Sequence, residues 1–94
     1  MVKGVILVDW TDQGRRAIKD SPDRAEAAKA EATKLGIQVK ELFYTPGGPH
    51  DAAIVIEGEG PEPINKFMVS VQSLGNVKMK FVRAFSIEEM RKML

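Results

Sequence analysis

The histidine of this chain, His50, stands beside a carboxylate, Asp51. An imidazole next to a buried aspartate can act as a general base near neutral pH, because the carboxylate favours the protonated ring. Adjacent residues of a strand point to opposite faces, so these two side chains need not meet. The pair also follows the turn sequence Pro46-Gly47-Gly48-Pro49, where an aspartate often binds loop amides. We therefore favour a structural role, and His50 stays the candidate for a catalytic residue.

A second group of polar side chains falls near two predicted helix starts. Its members are Thr11, Arg15, Arg16, Lys19, Ser21 and Arg24. Hydroxyl and guanidinium groups at helix N termini can hold a phosphate or a carboxylate. The same hydroxyls also serve as ordinary helix caps, and nearby aspartates neutralise much of the positive charge. Capping and a solvated surface are the preferred interpretation, with anion binding as the alternative.

Two aromatic side chains complete the candidates. Trp10 follows the first predicted strand and could stack on a ligand, although such a residue more often packs in a core or an interface. Tyr44 lies near the end of the second predicted strand. The candidate ligand-binding residues are therefore Trp10, Thr11, Arg15, Ser21, Arg24, Tyr44, His50 and Asp51.

Composition excludes several kinds of chemistry. The chain has no cysteine and one histidine, which rules out disulfides and thiol nucleophiles and leaves no metal-ligand set. The glycine-rich turn at 46–49 has neither the lysine nor the following helix of a phosphate-binding loop. We predict no metal and no cofactor.

Charge and hydropathy bear on the binding partners and the location of the protein. A net charge of +1 argues against binding to nucleic acid through a basic surface. The longest apolar run, Val5 to Val8, is too short to span a membrane, and no secretory signal precedes it. We expect a soluble, cytoplasmic protein.

The elements that position these residues follow a β-α-β-β-α-β order. Strands are predicted over 2–8, 37–45, 52–57 and 77–85, and helices over 12–19 and 22–35, with Ser21 as the N-cap of the second. A third helix presents one apolar face made of Ile64, Phe67, Met68, Val71 and Leu74. Ser86 and Glu89 predict a capping box for a last short helix. In the second strand, alternation predicts Val39, Glu41 and Phe43 on one face and Leu42 and Tyr44 on the other.

This order predicts an α+β, ferredoxin-like domain over residues 1–94, with a four-stranded antiparallel sheet, helices on one face and an extra short C-terminal helix. The first and third strands are apolar on both faces, as central strands would be. The sheet face opposite the helices then needs a cover, and a second copy of the chain is the simplest one. The alternative cover is the C-terminal helix, through Ile87, Met90 and Leu94. We expect a homodimer.

The segments Trp10-Thr11-Asp12-Gln13-Gly14 and Ser21-Pro22 resemble the GYD domain family, with further matches at 43–44, 48, 51, 73–77 and 83–85. The resemblance covers nearly the whole chain. It implies a ferredoxin-like domain that pairs sheet to sheet into a dimeric α/β barrel, and it implies no known activity. The Gly-Tyr-Asp motif of the family corresponds to Gly48-Pro49-His50-Asp51, where His50 takes the place of the tyrosine.

Two functions remain after other uses of this fold are considered. The third strand has no aromatic residues, which argues against an RNA-recognition module, and a copper chaperone would need paired cysteines. The first function is a noncatalytic homodimeric module that binds or regulates through a small molecule or a protein partner. The alternative is a cofactorless enzyme, oxygenase-like or isomerase-like, that acts on an apolar substrate in a cavity near His50, Tyr44 or Trp10. A partly apolar cavity containing His50 and another titratable group would favour the enzyme, and a filled core with only a surface groove would favour the module.

Overall fold

The computed structural model describes residues 1–94 and has the predicted β-α-β-β-α-β order. The strands are β1 (Val2–Trp10), β2 (Gln38–Tyr44), β3 (Ala52–Gly58) and β4 (Val77–Arg83). The helices are α1 (Asp12–Arg16), α2 (Ser21–Lys34), α3 (Pro61–Gln72) and α4 (Ile87–Met93), and a 3₁₀ turn (Ile18–Asp20) joins α1 to α2. None of these helices combines the length and the apolar character that crossing a membrane requires.

The four strands form one antiparallel sheet in the order β2-β3-β1-β4, the ferredoxin-like arrangement that the sequence predicts. β1 and β3 pair in the centre, where Ile6 lies opposite Ile54. Both strands alternate between two environments, because successive side chains point to opposite faces. One face, which we call the helix face, carries Ile6, Val8, Ala52, Ile54 and Ile56 beneath α2 and α3. The other, the open face, carries Val5, Leu7, Ala53 and Val55, which are half-buried.

The core lies between the helix face and the two long helices. Phe67 and Ile64 of α3 are each 1% exposed, and Ala32 of α2 is fully buried. The predicted apolar face of α3 is confirmed at these two positions. Leu74 is an exception, since α3 ends at Gln72 and Leu74 is 67% exposed. The helix ends earlier than the apolar spacing predicted, so Leu74, the last residue of the predicted apolar face, lies in the turn after the helix.

The face alternation predicted for β2 is wrong at Val39. A β-bulge separates Val39, which pairs with Ile56, from Glu41, which pairs with Val55. The extra residue shifts the alternation by one position, so Val39 shares the helix face with Leu42 and Tyr44. Glu41 and Phe43 remain together on the open face. The bulge thus keeps β2 apolar towards the core along its whole length.

The starts of α1 and α2 also differ from the prediction. The single helix expected over 12–19 ends at Arg16, and the 3₁₀ turn replaces its last part. Ser21 is not an N-cap: Asp20 occupies that position, and Ser21 has helical backbone angles of φ −56° and ψ −43°. A residue with helical angles inside the first turn does not turn its side chain back onto the first amides, and Asp20 makes no side-chain cap hydrogen bond either. The Ser21 hydroxyl is therefore free to contact another element.

The short helix α4 has the predicted capping box. The Ser86 hydroxyl accepts from the Glu89 amide at 3.1 Å, and the Glu89 carboxylate accepts from the Ser86 amide at 2.8 Å. This amide, together with Lys3 at 2.9 Å, lowers the pKa of Glu89 to about 2. Ile87 and Leu94 nevertheless stay 74% and 93% exposed. α4 therefore does not use its apolar side to cover the open face.

The buried position of Phe67 leads to a test of the core. We expect Phe67→Ala to lower the free energy of unfolding by about 3–5 kcal/mol, because it removes buried apolar surface and leaves a cavity. Val69→Ala, on the same helix but at a position that is 68% exposed, should change it by less than about 0.5 kcal/mol. Urea denaturation followed by circular dichroism measures both. A loss below about 1 kcal/mol for Phe67→Ala would contradict this packing.

Candidate functional site

A mostly apolar cavity of about 320 Å³ lies between α2, α3 and the helix face. Val8, Ala52 and Ile54 line it from the sheet, Ala28 from α2 and Val71 from α3. Its volume corresponds to roughly ten water molecules, which is enough for a small organic ligand. The core is therefore not filled along its whole length.

The alanine stripe of α2 explains the cavity. Small side chains at positions 25, 28 and 32 predict that α2 packs closely on whatever lies beneath it, and at Ala32 it does, with no exposed surface. Ala25 and Ala28 line the cavity, and Ala28 also packs against the core. Whether an alanine of α2 packs closely or leaves space beside it depends on the distance between α2 and α3, and the sequence pattern does not determine that distance.

One end of the cavity is polar and aromatic, and it brings together four of the predicted site residues: Trp10, Ser21, Arg24 and Tyr44. The rings of Trp10 and Tyr44 lie with centroids 6.3 Å apart and planes tilted by 35°. The hydroxyl oxygens of Ser21 and Tyr44 are 2.9 Å apart and share a hydrogen bond. The bulge in β2 shifts the alternation of side chains by one residue, so that Tyr44 points to the helix face together with Val39. We call these four residues the polar end.

Arg24 is the cationic group of the polar end. Its Nη1 donates to the carbonyl of Ala17 at 2.8 Å and its Nη2 to that of Gly14 at 3.4 Å. None of the ion pairs in the structure includes Arg24, so no carboxylate neutralises it. Glu31 also lines the cavity, seven residues further along α2 and thus about 10 Å along the helix axis. The cavity therefore has a positive end and a negative end.

A close contact between α1 and the turn before β4 fixes Gly14, whose carbonyl is one of the two that accept from Arg24. Gly14 packs directly on Asn76, and a Cβ atom at Gly14 would collide with the Asn76 carbonyl oxygen. That oxygen also accepts from the Thr11 amide at 3.1 Å. The Thr11 hydroxyl donates to the Gly75 carbonyl at 2.6 Å and accepts from the Gly14 amide at 3.1 Å. Thr11 is thus an N-cap and a tether, and it does not line the cavity.

The remaining candidates lie elsewhere. Arg15 is exposed, with its guanidinium 3.8 Å from the Asp12 carboxylate. The Asp51 carboxylate accepts from the backbone amide of Trp10 at 2.9 Å, which ties the ends of β1 and β3 together. The predicted anion site around the two helix starts is therefore divided: Ser21 and Arg24 reach the cavity, whereas Thr11 and Arg15 do not.

His50 pairs with Asp9 and not with its neighbour Asp51. Its Nδ1 lies 3.1 Å and 3.2 Å from the two carboxylate oxygens of Asp9. Asp9 alternates along β1 with Val8 and Trp10, which line the cavity, so its side chain belongs to the open face. The imidazole therefore has a carboxylate partner but lies outside the cavity. Sequence reasoning missed Asp9, since 41 residues separate it from His50.

This arrangement can stack on a planar group, donate hydrogen bonds and attract negative charge. The cavity contains hydroxyls but no histidine, and the hydroxyl of Tyr44 is bonded to another hydroxyl and not to a base. No cluster of three or more histidine or acidic side chains is placed to hold a metal ion. The cavity therefore combines apolar and aromatic surface with the two paired hydroxyl groups and the one cationic side chain of the polar end.

Comparison with known proteins gives one match. The family model described as GYD domain matches residues 5–94. No curated protein and no solved structure matches the chain.

The close contact between Gly14 and Asn76, which lies next to the polar end, can be tested by substitution. We expect Gly14→Ala to lower the free energy of unfolding by about 1–3 kcal/mol, because the added methyl group meets a backbone carbonyl that has little freedom to move. Gly60→Ala is the control, since a Cβ there meets no atom within 4 Å, and its cost should stay below about 1 kcal/mol. Thermal or urea unfolding measures both. Equal effects of the two substitutions would contradict the close contact.

Proposed function

We propose a small-molecule binding function for this chain, which belongs to the GYD domain family. Residues 1–94 act as one noncatalytic module, and the ligand occupies the cavity between α2, α3 and the helix face. The observation that carries this function is the unfilled apolar space of about 320 Å³ with a polar end. In the same proposal the protein is a cytoplasmic homodimer, and neither nucleic acid nor a membrane is a partner.

The composition of the cavity supports a binding role. Ligand sites in proteins are mostly apolar concave spaces in which a few polar groups fix the orientation of the ligand. Here Val8, Ile54 and Val71 supply apolar surface, and Ser21 and Arg24 supply the polar groups at one end. The volume lies at the lower limit of about 300–1,000 Å³ that such sites span, which favours a small ligand.

A cofactorless enzyme, oxygenase-like or isomerase-like, is the second candidate, and the same cavity favours it. Tyr44 and Glu31 would then be the titratable side chains beside the substrate. His50, on which a catalytic role would depend most, pairs with Asp9 on the side of the open face. The core is not filled, contrary to what we expected for the binding module. We prefer the module because His50 does not line the cavity, and a proton-transfer group must lie within hydrogen-bond reach of its substrate.

The open face supports the homodimer. Val5, Leu7 and Val55 are half-buried there, and Phe43 and Val82 are 52% and 49% exposed. A contiguous apolar surface on a sheet commonly marks an interface. A second copy placed face to face would bury it through an isologous contact, in which both chains use the same residues.

A cavity-filling substitution tests the binding site. A ligand found in a thermal-shift screen of apolar metabolites should stabilise the protein by about 2.7 kcal/mol when its concentration is a hundred times its Kd. Ala28→Met places a long side chain in the cavity and should abolish this shift. Ala30→Met, on the exposed side of the same helix, should leave it unchanged. The proposal fails if no compound shifts the melting temperature, or if Ala28→Met responds like the unmodified protein.

A charge on the open face tests the dimer. Multi-angle light scattering should give about twice the 10.4 kDa mass of the chain. Val82→Asp introduces a carboxylate into the apolar surface and should give the mass of one chain. Val69→Asp is the matched control, because it adds the same charge at an exposed position of α3 on the other side of the sheet. A monomer before substitution, or a dimer that Val69→Asp disrupts as much as Val82→Asp, would refute this interface.

A further inference from the structure

We propose that the cavity takes a small planar monocarboxylic acid, with its carboxylate on Arg24 and its apolar body against Trp10 and Tyr44. This inference rests on the proposed binding function and names the chemical class of the ligand. It follows from the charge, the shape and the opposite ends of the cavity.

Arg24 provides the anchor for the carboxylate. The carbonyls of Ala17 and Gly14 take one N–H from each terminal nitrogen and hold the guanidinium in place. The remaining N–H groups have no acceptor of this chain, and no acidic side chain pairs with the charge. A planar guanidinium matches a carboxylate with two parallel hydrogen bonds, and its prior orientation by two carbonyls reduces the entropy lost on binding.

The groups around Arg24 favour a planar body next to the carboxylate. Trp10 and Tyr44 lie at the same end, with ring centroids 6.3 Å apart. Aromatic rings pack well on other planar apolar groups, in offset or edge-to-face arrangements. The paired hydroxyls of Ser21 and Tyr44 offer a further hydrogen bond to a carboxylate oxygen. The anion and the ring of one small molecule are thus both accommodated.

Glu31 restricts the ligand to a single negative charge. Glu31 lines the same cavity at a position about 10 Å from Arg24 along the axis of α2. A second anionic group on the ligand would meet this like charge in apolar surroundings, where repulsion is only weakly screened. A dianionic phosphate monoester is disfavoured for the same reason, because the polar end has one cation to balance it.

A pair of nearly isosteric probes tests the inference: trans-cinnamate, which carries the carboxylate, and cinnamamide, which is neutral. Trp10 is the single tryptophan, so its indole N–H gives one signal in ¹H–¹⁵N spectra and reports on the cavity. We expect cinnamate to bind at least about tenfold more tightly than cinnamamide. Arg24→Gln should remove this preference while cinnamamide binds as before. Arg15→Gln, which removes an exposed arginine outside the cavity, should retain it.

The outcomes separate this inference from the proposed function. Equal binding of the two probes to the unmodified protein overturns the carboxylate assignment, and so does a preference that survives Arg24→Gln. If neither probe moves the Trp10 signal, the proposed ligand class is wrong. The proposed binding function would still hold in that case if uncharged compounds stabilise the unmodified protein and do not stabilise the Ala28→Met variant. If Arg24→Gln does not fold, Arg24→Lys keeps the charge without the fork and should bind cinnamate more weakly than the unmodified protein but still prefer it to cinnamamide.

Discussion

The antiparallel pairing of β1 with β3 decides which side chains share a surface. Ile6 and Val8 of β1 lie opposite Ile54 and Ala52 of β3, and all four face the helices. The residues between them, such as Val5 and Val55, must then face the other way. The same register divides the chemistry at the end of β1, where Trp10 enters the cavity and Asp9 meets His50 on the open face. One pairing thus gives the sheet two apolar surfaces with separate polar groups.

The helix face is only partly filled, and this has an energetic consequence. α2 is in close contact with the core at Ala32, whereas Ala25 and Ala28 leave apolar surface beside the cavity. Apolar surface that stays in contact with water lacks the stabilising free energy of burial, which is roughly 25 cal/mol for each Å². A bound apolar molecule would recover part of this free energy, so the site that weakens the packing is also the site that a ligand would stabilise most.

The sequence predicted most of the fold because its signals are local. The apolar spacing of α3, the Ser86–Glu89 capping box and the two-faced apolar strands all depend on residues within one or two turns or along one strand. The bulge at Lys40 was not predictable in this way, since no glycine or proline marks it. The Asp9–His50 pair and the cavity depend on distances between elements. Only four of the eight candidate ligand residues line the cavity. Their residue types indicated suitable chemistry, but which of them lie together depends on the tertiary structure.

The polar end depends on contacts between two segments that are far apart in sequence. Residues 10–14 carry one of the two most specific parts of the resemblance to the GYD family, and residues 73–77 carry a further part of it. In the fold these two segments touch: the Thr11 amide bonds to Asn76, its hydroxyl to Gly75, and the Gln13 amide group to Leu74 at 3.0 Å. Gly14 belongs to the same contact, and its carbonyl accepts the longer of the two Arg24 hydrogen bonds, at 3.4 Å, while the shorter one, at 2.8 Å, goes to Ala17. The turn before β4 therefore contributes, through α1, to the position of the guanidinium, although it lies some fifty residues beyond Arg24 in the chain.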